Sequence, residues 1–494
     1  MGIVKHSKYL FVKIKNNMKT RNTVISIFFL IAIVFHAAMF YLAIGPYNLF
    51  TDSAGYLSTA DIALKGGGWI FNPNRPIGLP LFFFSLLKIS HGYLSIITIF
   101  QIIGLIGAIF FAVYSAIPKW ELWKKLLITW IIIIFSTRTF LYSYMILSEA
   151  FFTVCLLFFL GFFFLYLKAV KEKQNEKYKF LLWGMFLASL SAAWIKSVGV
   201  LFLLIFIFIL ILHFIYYRKN YIQGILIFII LTSSLVINHI FLGTYAFSKQ
   251  DGIQLLISAN EYINYKSSYM SHEKNLIYTS HQKILKMYAP RTRLDQIVGP
   301  IPGIETPAQI LQKDSVNYDQ FNTKIRNLIF EGLMSNGNWI KYLGSGFVEL
   351  ENTILGNTKE GLIIPNEIAN SNGTILSWLP TIESISNQPI QLNENPFAVN
   401  YYNLIISFGI FPKYVAPIVF LILLVIAIAF HIEWKILAIN LMIFLLLIGY
   451  LYGSVLLVFA LDRYYVGIEI LFFVDSLYLI NLIVERNKLN NISQ

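Results

Sequence analysis

A chain of 494 residues, 57% of them hydrophobic and only 13% charged, has too little polar surface for a water-soluble fold, so the bilayer must be its main solvent. The net charge of +13 does not point to nucleic acid: residues 244–400 carry 12 Lys and Arg against 14 Asp and Glu, and the excess lies in the N-terminal tail and short loops. The single cysteine, Cys155, stands in an apolar run, which excludes an internal disulfide and gives no hint of thiol or zinc chemistry.

Several apolar runs reach the ~20 residues a helix needs to cross hydrocarbon. The ~10-residue alternating segments of a membrane β-barrel are not found. The predicted fold is therefore an all-α polytopic membrane protein. The start, "MGIVKHSKYLFVKIKNNMKTR", is basic without an acid and is followed by the run 22–44, which places the N-terminus in the cytoplasm. A cleaved signal peptide is the alternative, since "AIVFHAAMF" offers small residues, but the run is longer than a usual signal core.

Next comes "YNLFTDSAGYLSTADIALKGGGWIFNPNRPIGLP", within the first outer loop 45–92. Apolar Ala54, Leu57, Ile62 and Leu64 alternate with polar residues as in a short interfacial helix, ended by the glycines from Gly66 and followed by a proline-stiffened turn. Asp52 either faces a cavity or caps that helix. Arg75, between Asn74 and Pro76, suits a phosphate or an interfacial anchor equally.

Further spans are predicted at 93–117, 126–142, 149–167, 180–194, 198–216, 222–242, 404–430, 436–461 and 466–484. Ten spans place "PKWELWKK", "KAVKEKQNEKYK", "YYRKNY", "HIEWK" and the tail "ERNKLNNISQ" inside, each with Lys or Arg, so that both termini are cytoplasmic. The same alternation gathers the polar residues that topology does not explain on the outer side. Arg138 and Glu149 flank the turn in "STRTFLYSYMILSEAFF", where Glu149 also suits a helix N-terminus. Lys196 in "AAWIKSVGV" is a cation on the side where charge bias gives it no purpose, an anion ligand or an anchor. "LDRYY" sets Arg463 and Tyr464 before the last span, as a phosphate clamp or an aromatic girdle. The domains read as 1–243, a transmembrane module of about seven spans; 244–403, an outer, mainly helical domain; and 404–494, a module of about three spans.

No Walker loop, HExxH, CxxC or GxSxG occurs, and His36, His213 and His239 are scattered, reading as packing residues. No metal or other cofactor is predicted, with a divalent ion left open.

In their order and sidedness these features resemble the GT-C superfamily of polytopic glycosyltransferases, in the branch of protein O-mannosyltransferases and bacterial aminoarabinose transferases. The resemblance rests on Asp52 after the first span, the interfacial helix, the turn "RPIGLP", Ser148 and Glu149 opening a later span, "IKSVG" loosely, and the pair Arg463 and Tyr464. It implies a GT-C-like bundle of about ten helices that takes a sugar from a polyprenyl-phosphate donor in the outer leaflet and passes it to a lipid, glycan or protein acceptor. It further implies Asp52 as general base, Arg463, Tyr464, Lys196, Arg75 and Arg138 at the donor phosphate, and the tail held among the spans. Many relatives pair the first-loop acid with a second one; Ser53 stands there instead, so Asp61 or Glu149 is the candidate second acid. The rival expectations are a lipid-linked oligosaccharide polymerase or ligase, and a lipid or glycolipid flippase. Ile-, Lys- and Asn-rich usage points to an AT-rich prokaryotic genome and hence a bacterial or archaeal plasma membrane.

Overall fold

The computed structural model describes residues 2–45, 53–64, 76, 78–196, 199–217, 236, 276–280, 283, 305–313, 315, 318–334, 337–355, 395–409, 412–458 and 467–492. Its described elements are helices: α1 (Gly2–Ile44), α2 (Ser53–Leu64), α3 (Gly78–Ile89), α4 (Ser95–Ala116), α5 (Leu122–Phe135), α6 (Thr137–Tyr142), α7 (Ser148–Lys171), α8 (Asn175–Ile195) and α9 (Val200–Tyr217). After these come α10 (Pro307–Lys313), α11 (Tyr318–Met334), α12 (Asn338–Leu355), α13 (Pro396–Gly409), α14 (Pro412–Ala429), α15 (Trp434–Val458) and α16 (Ile468–Ile492).

Four stretches are long and apolar enough to cross a membrane: Thr20–Ala43, Ser95–Ala116, Ser148–Lys171 and Lys177–Ile195. Shorter apolar helices cover Gly78–Ile89, Val200–Phe214, Val415–Ala429 and Ile436–Tyr452. The chain is a multi-pass membrane protein. On α1, Val24, Phe28, Ile31 and Val34 are all exposed, an apolar outer face that suits lipid. At the centre stands α7, packed by α4, α8 and α16. Small residues permit the close approach: a Cβ on Gly161 would meet the Phe111 ring at 2.6 Å, and one on Gly184 the Phe162 ring at 2.6 Å.

Four sequence expectations need correction. The expected span 126–142 is two helices, because the chain bends at Ser136 (φ −94°, ψ 40°), where Thr137 Oγ1 donates to the Ile134 carbonyl. The expected span 404–430 is likewise divided: α13 ends at Gly409 and α14 begins at Pro412, whose missing N–H is harmless in a first helical turn. The boundary drawn at 403 therefore falls inside α13. Finally, α3 was not expected as a separate element. Its 12 residues make ~18 Å, too short for a ~30 Å hydrocarbon layer. It ends in a Schellman turn in which the Gly92 N–H reaches the Leu87 carbonyl at 2.8 Å, with His91 and Gly92 at φ 55° and 93°. It folds back on α2, and Tyr56, Leu57, Leu79, Phe83 and Leu87 make a separate small core that leans on Ile146 and Phe151. The expected span 222–242 lies outside the described residues, Val236 excepted.

At one end of the bundle, Lys119 pairs with Glu485 at 3.1 Å and the Asn22 amide donates to Glu121 at 3.3 Å, joining α1, the α4–α5 link and α16. Hydrogen bonds from Lys124 and the Trp123 indole hold the Glu121 carboxyl below its ordinary range. In the long segment before α13, α10 opens on a capping box, where Thr306 N–H donates to Gln309 Oε1 at 2.9 Å and Gln309 N–H to Thr306 Oγ1 at 3.4 Å. α12 is fastened to α15 by Tyr452, whose hydroxyl donates to the Leu343 carbonyl at 2.8 Å and whose ring lies 4.7 Å from that of Phe347.

The histidines read as packing residues are buried and paired where described. His213 lies 2.6 Å from the Tyr166 hydroxyl, and His36 Nδ1 lies 2.8 Å from the Tyr401 hydroxyl, which fastens α13 to α1. His239 lies outside the described residues. Tyr401→Phe should leave the buried His36 without that bond and lower stability by about 1–2 kcal/mol. A thermal melt of the purified chain checks this, and an unchanged midpoint would show that packing alone joins the two helices.

Candidate functional site

At the opposite end of the bundle, the chain from Thr139 to Thr153 is buried without interruption, including the non-helical link from Ser143 to Leu147 between α6 and α7. A buried link must find partners for its backbone groups. It does so with side chains from two other elements: Ser53 Oγ of α2 donates to the Ile146 carbonyl at 2.8 Å, and the Gln101 amide of α4 donates to the Leu147 carbonyl at 3.1 Å. From α1, the Ala37 carbonyl accepts the Tyr144 hydroxyl at 2.5 Å. The link is thus held on three sides.

It delivers Ser148 and Glu149 to the first turn of α7, where the Glu149 side chain is 5% exposed. Lys196, at the end of α8, meets it: Nζ to Oε1 is 3.4 Å, with Lys196 itself 17% exposed. Ser148 Oγ donates to the other Glu149 oxygen at 3.2 Å, and the Lys196 ammonium stands 5.6 Å from the centroid of the Phe152 ring. Lys196 is placed by the turn behind it. The Gly199 N–H returns to the Lys196 carbonyl at 2.8 Å, and a Cβ on Gly199 would collide with the backbone of Ala192, so this turn requires glycine.

A second acid enters from α16. Glu469, 1% exposed, accepts a hydrogen bond from Thr139 Oγ1 at 3.1 Å, and that same oxygen accepts the Gly467 N–H at 2.9 Å. Gly467 in turn packs on Thr153, whose hydroxyl donates to the Glu149 carbonyl at 2.8 Å. Helices α2, α4, α6, α7, α8 and α16 therefore converge on one buried polar cluster. Gly467 has φ 85° and its Cβ position is occupied by the Thr153 side chain. Gly467→Ala should thus cost about 1–3 kcal/mol from the backbone alone. Loss of thermal stability checks it; a wild-type midpoint would mean that α16 shifts freely against α7.

Directly inward of the cluster lies a partly open apolar groove, lined by side chains such as Leu156, Phe163, Phe202, Ile209, Leu447 and Leu471 with no polar group among them. Leu156 is one turn inward of Phe152, and Leu471 follows Glu469 by two residues. A charged, hydrogen-bonding head position thus stands at the mouth of a dry slot, a shape suited to an amphiphile.

Of the residues singled out in the sequence, Glu149 and Lys196 are brought together as an ion pair. Asp61 falls within α2 and Arg138 within α6, where the description extends to the backbone only. Asp52, Arg75, Arg463 and Tyr464 lie outside the described residues. Their neighbours in sequence are placed: Ser53, after Asp52, holds Ile146, and Thr139, after Arg138, holds Gly467 and Glu469. Sequence reasoning missed Glu469, Thr139, Thr153 and Gln101. The available signal for Glu469 was one acid in the apolar run "VGIEILFF", only six residues past Arg463. Among the described residues, no group of three or more His, Cys, Asp or Glu side chains could hold a metal ion. Compared with protein-family models, with curated proteins and with solved structures, the chain matches none.

Proposed function

We propose that the chain is a membrane glycosyltransferase of the GT-C kind, transferring a sugar from a polyprenyl-phosphate donor to a lipid, glycan or protein acceptor on the outer side of the membrane. The observation that supports it best is the juxtaposition of a partly buried lysine, paired with the Glu149 carboxylate, with an apolar groove that starts one turn inward of it. A polyprenyl phosphate has this division: a dianionic or monoanionic head and a long hydrocarbon tail.

In this reading Asp52 accepts the proton of the acceptor hydroxyl or amine as that group attacks the anomeric carbon. The bond from that carbon to the phosphate oxygen breaks, and the electron pair leaves with the polyprenyl phosphate. Lys196, with Arg463, Arg75 and Arg138 and the Tyr464 hydroxyl as further candidates, stabilises the charge that grows on the phosphate in a site from which water is largely excluded. Attack opposite the leaving group inverts the anomeric centre. Glu149 keeps Lys196 in place, and Glu469, with Asp61, is the candidate second acid where Ser53 replaces the paired one. The link 143–147 is bonded to Ser53, the residue after Asp52, and leads directly into Glu149, the partner of Lys196.

A flippase is the second reading, favoured by one observation: Asp475 is wholly buried within the apolar helix α16. The two differ in product. Membranes containing the chain, supplied with polyprenyl-phosphate sugars labelled in the sugar, should yield label covalently attached to a new acceptor. Label that crosses the membrane still on its original lipid would overturn the transferase reading in favour of the flippase.

A further inference from the structure

Outside the cluster just described, helices α15 and α16 carry buried oxygen atoms that have no hydrogen-bond partner among the described residues. Helices α15 and α16 meet through Phe444 and Phe472, whose ring centroids are 5.4 Å apart, and Phe420 of α14 stacks on Phe444 at 5.1 Å. The C-terminal part of α15 and the start of α16 lie at the same end of the bundle, since Tyr450 stacks on Phe152 and Gly467 packs on Thr153. Moving inward from the ring pair therefore means moving back along α15 and forward along α16. Four residues in each direction, on the same helix face one rung of ~6 Å away, stand Asn440 and Ser476, and Asp475 flanks Ser476.

Asp475 and Asn440 are fully buried and Ser476 is 4% exposed. Both carboxylate oxygens of Asp475, Oδ1 of Asn440 and Oγ of Ser476 have no hydrogen-bond partner among the described residues. Several hydroxyls inside apolar helices, Ser26, Ser115, Thr129 and Thr153, each donate to the carbonyl one turn before them, whereas Thr98 of α4 shares with Ser476 the lack of a partner among the described residues. Ser476 forgoes that bond. Asn440 spends its amide N–H on the Ile436 carbonyl at 2.7 Å, which turns its oxygen the other way. Among the described helices packed on α16, α14 from Tyr414 to Ala429, α15 from Ile436 to Val458, α7 from Ala150 to Leu167 and α4 from Ser95 to Ala116 carry no charged residue. Four hard oxygen donors with one formal negative charge fit a single small monovalent cation better than a divalent one, which would leave net charge in hydrocarbon.

We propose that the α15–α16 seam binds one alkali cation through Asp475, Asn440 and Ser476, which ties the last two spans together. The site stands apart from the transfer reading and its readout needs no donor lipid. The purified full-length chain in lipid nanodiscs is melted in sodium, potassium or choline chloride at one pH and matched ionic strength. Sodium or potassium should raise the midpoint over choline by about 2–4 °C, a saturable shift set by mass action. Asp475→Asn, nearly isosteric, should abolish the shift, and direct counting with radioactive sodium or rubidium should give about one ion per chain, as the single-site scheme requires. Should that variant fail to fold, Asn440→Ala and Ser476→Ala should each raise the half-saturating salt severalfold. Equal melting in all three salts, or an alkali shift that persists in Asp475→Asn, would overturn the proposal.

Discussion

Asp52→Asn is expected to lower sugar transfer by about 10²–10⁴-fold while leaving expression and melting unchanged. The amide keeps the size of the carboxylate but no longer accepts the acceptor's proton. The helix that begins at the next residue should keep its place, because its anchoring contact is that of Ser53 on the Ile146 carbonyl. Ser53→Ala makes the informative companion. It removes that tether and exposes a buried carbonyl to loss of its partner, so it should reduce both stability and transfer, whereas Asp52→Asn should reduce transfer alone. Wild-type transfer by Asp52→Asn in membranes would remove the base from the scheme and leave Glu469 as the acid to test.

The second large effect is expected at Lys196. Replacing it by Met removes a partly buried cation and takes an ion-pair partner from Glu149, 5% exposed, which should cost about 1.5–3 kcal/mol. The double variant Lys196→Met with Glu149→Gln should recover most of that stability, since an absent pair is far cheaper than a broken one. Transfer should not recover with it, because the donor phosphate still lacks its cation. This split separates a structural ion pair from a functional one: if the stabilised double variant transfers sugar at the wild-type rate, Lys196 is only a fastening between α7 and α8.

How legible this was in the sequence differs from element to element. The runs 93–117, 149–167 and 180–194 were found because uninterrupted apolar length is itself the physical requirement for a span, and α4, α7 and α8 match them closely. The breaks at Ser136 and at Gly409–Pro412 were overlooked because hydropathy carries on smoothly across them, while the backbone responds to a side chain bonding its own turn or to a proline that lacks an N–H. Glu149 and Lys196 each stand out in the sequence, since ionisable residues among apolar ones are conspicuous. Their pairing was not readable, for 47 residues of sequence separation says nothing about distance until α7 and α8 are folded against each other. Glu469 is obscured in the sequence by the stronger signal of the arginine and tyrosines just before it. The cluster is in fact assembled by residues that sequence reading treats as bland, Thr139, Thr153, Ser53 and Gln101, whose value comes entirely from what stands opposite them.

The buried link from Ser143 to Leu147 carries one more consequence, for tolerance to changes in its length. Connections normally absorb insertions and deletions because they run over the surface. This one has no free side: Ile146 and Leu147 are committed to α2 and α4, Tyr144 to α1, and both flanking helices to the polar cluster. Lengthening it by a single residue would rotate Glu149 away from Lys196. Exchanges among Leu, Ile, Phe and Val in the greasy spans should therefore disturb the chain less than a change in the number of residues between α6 and α7.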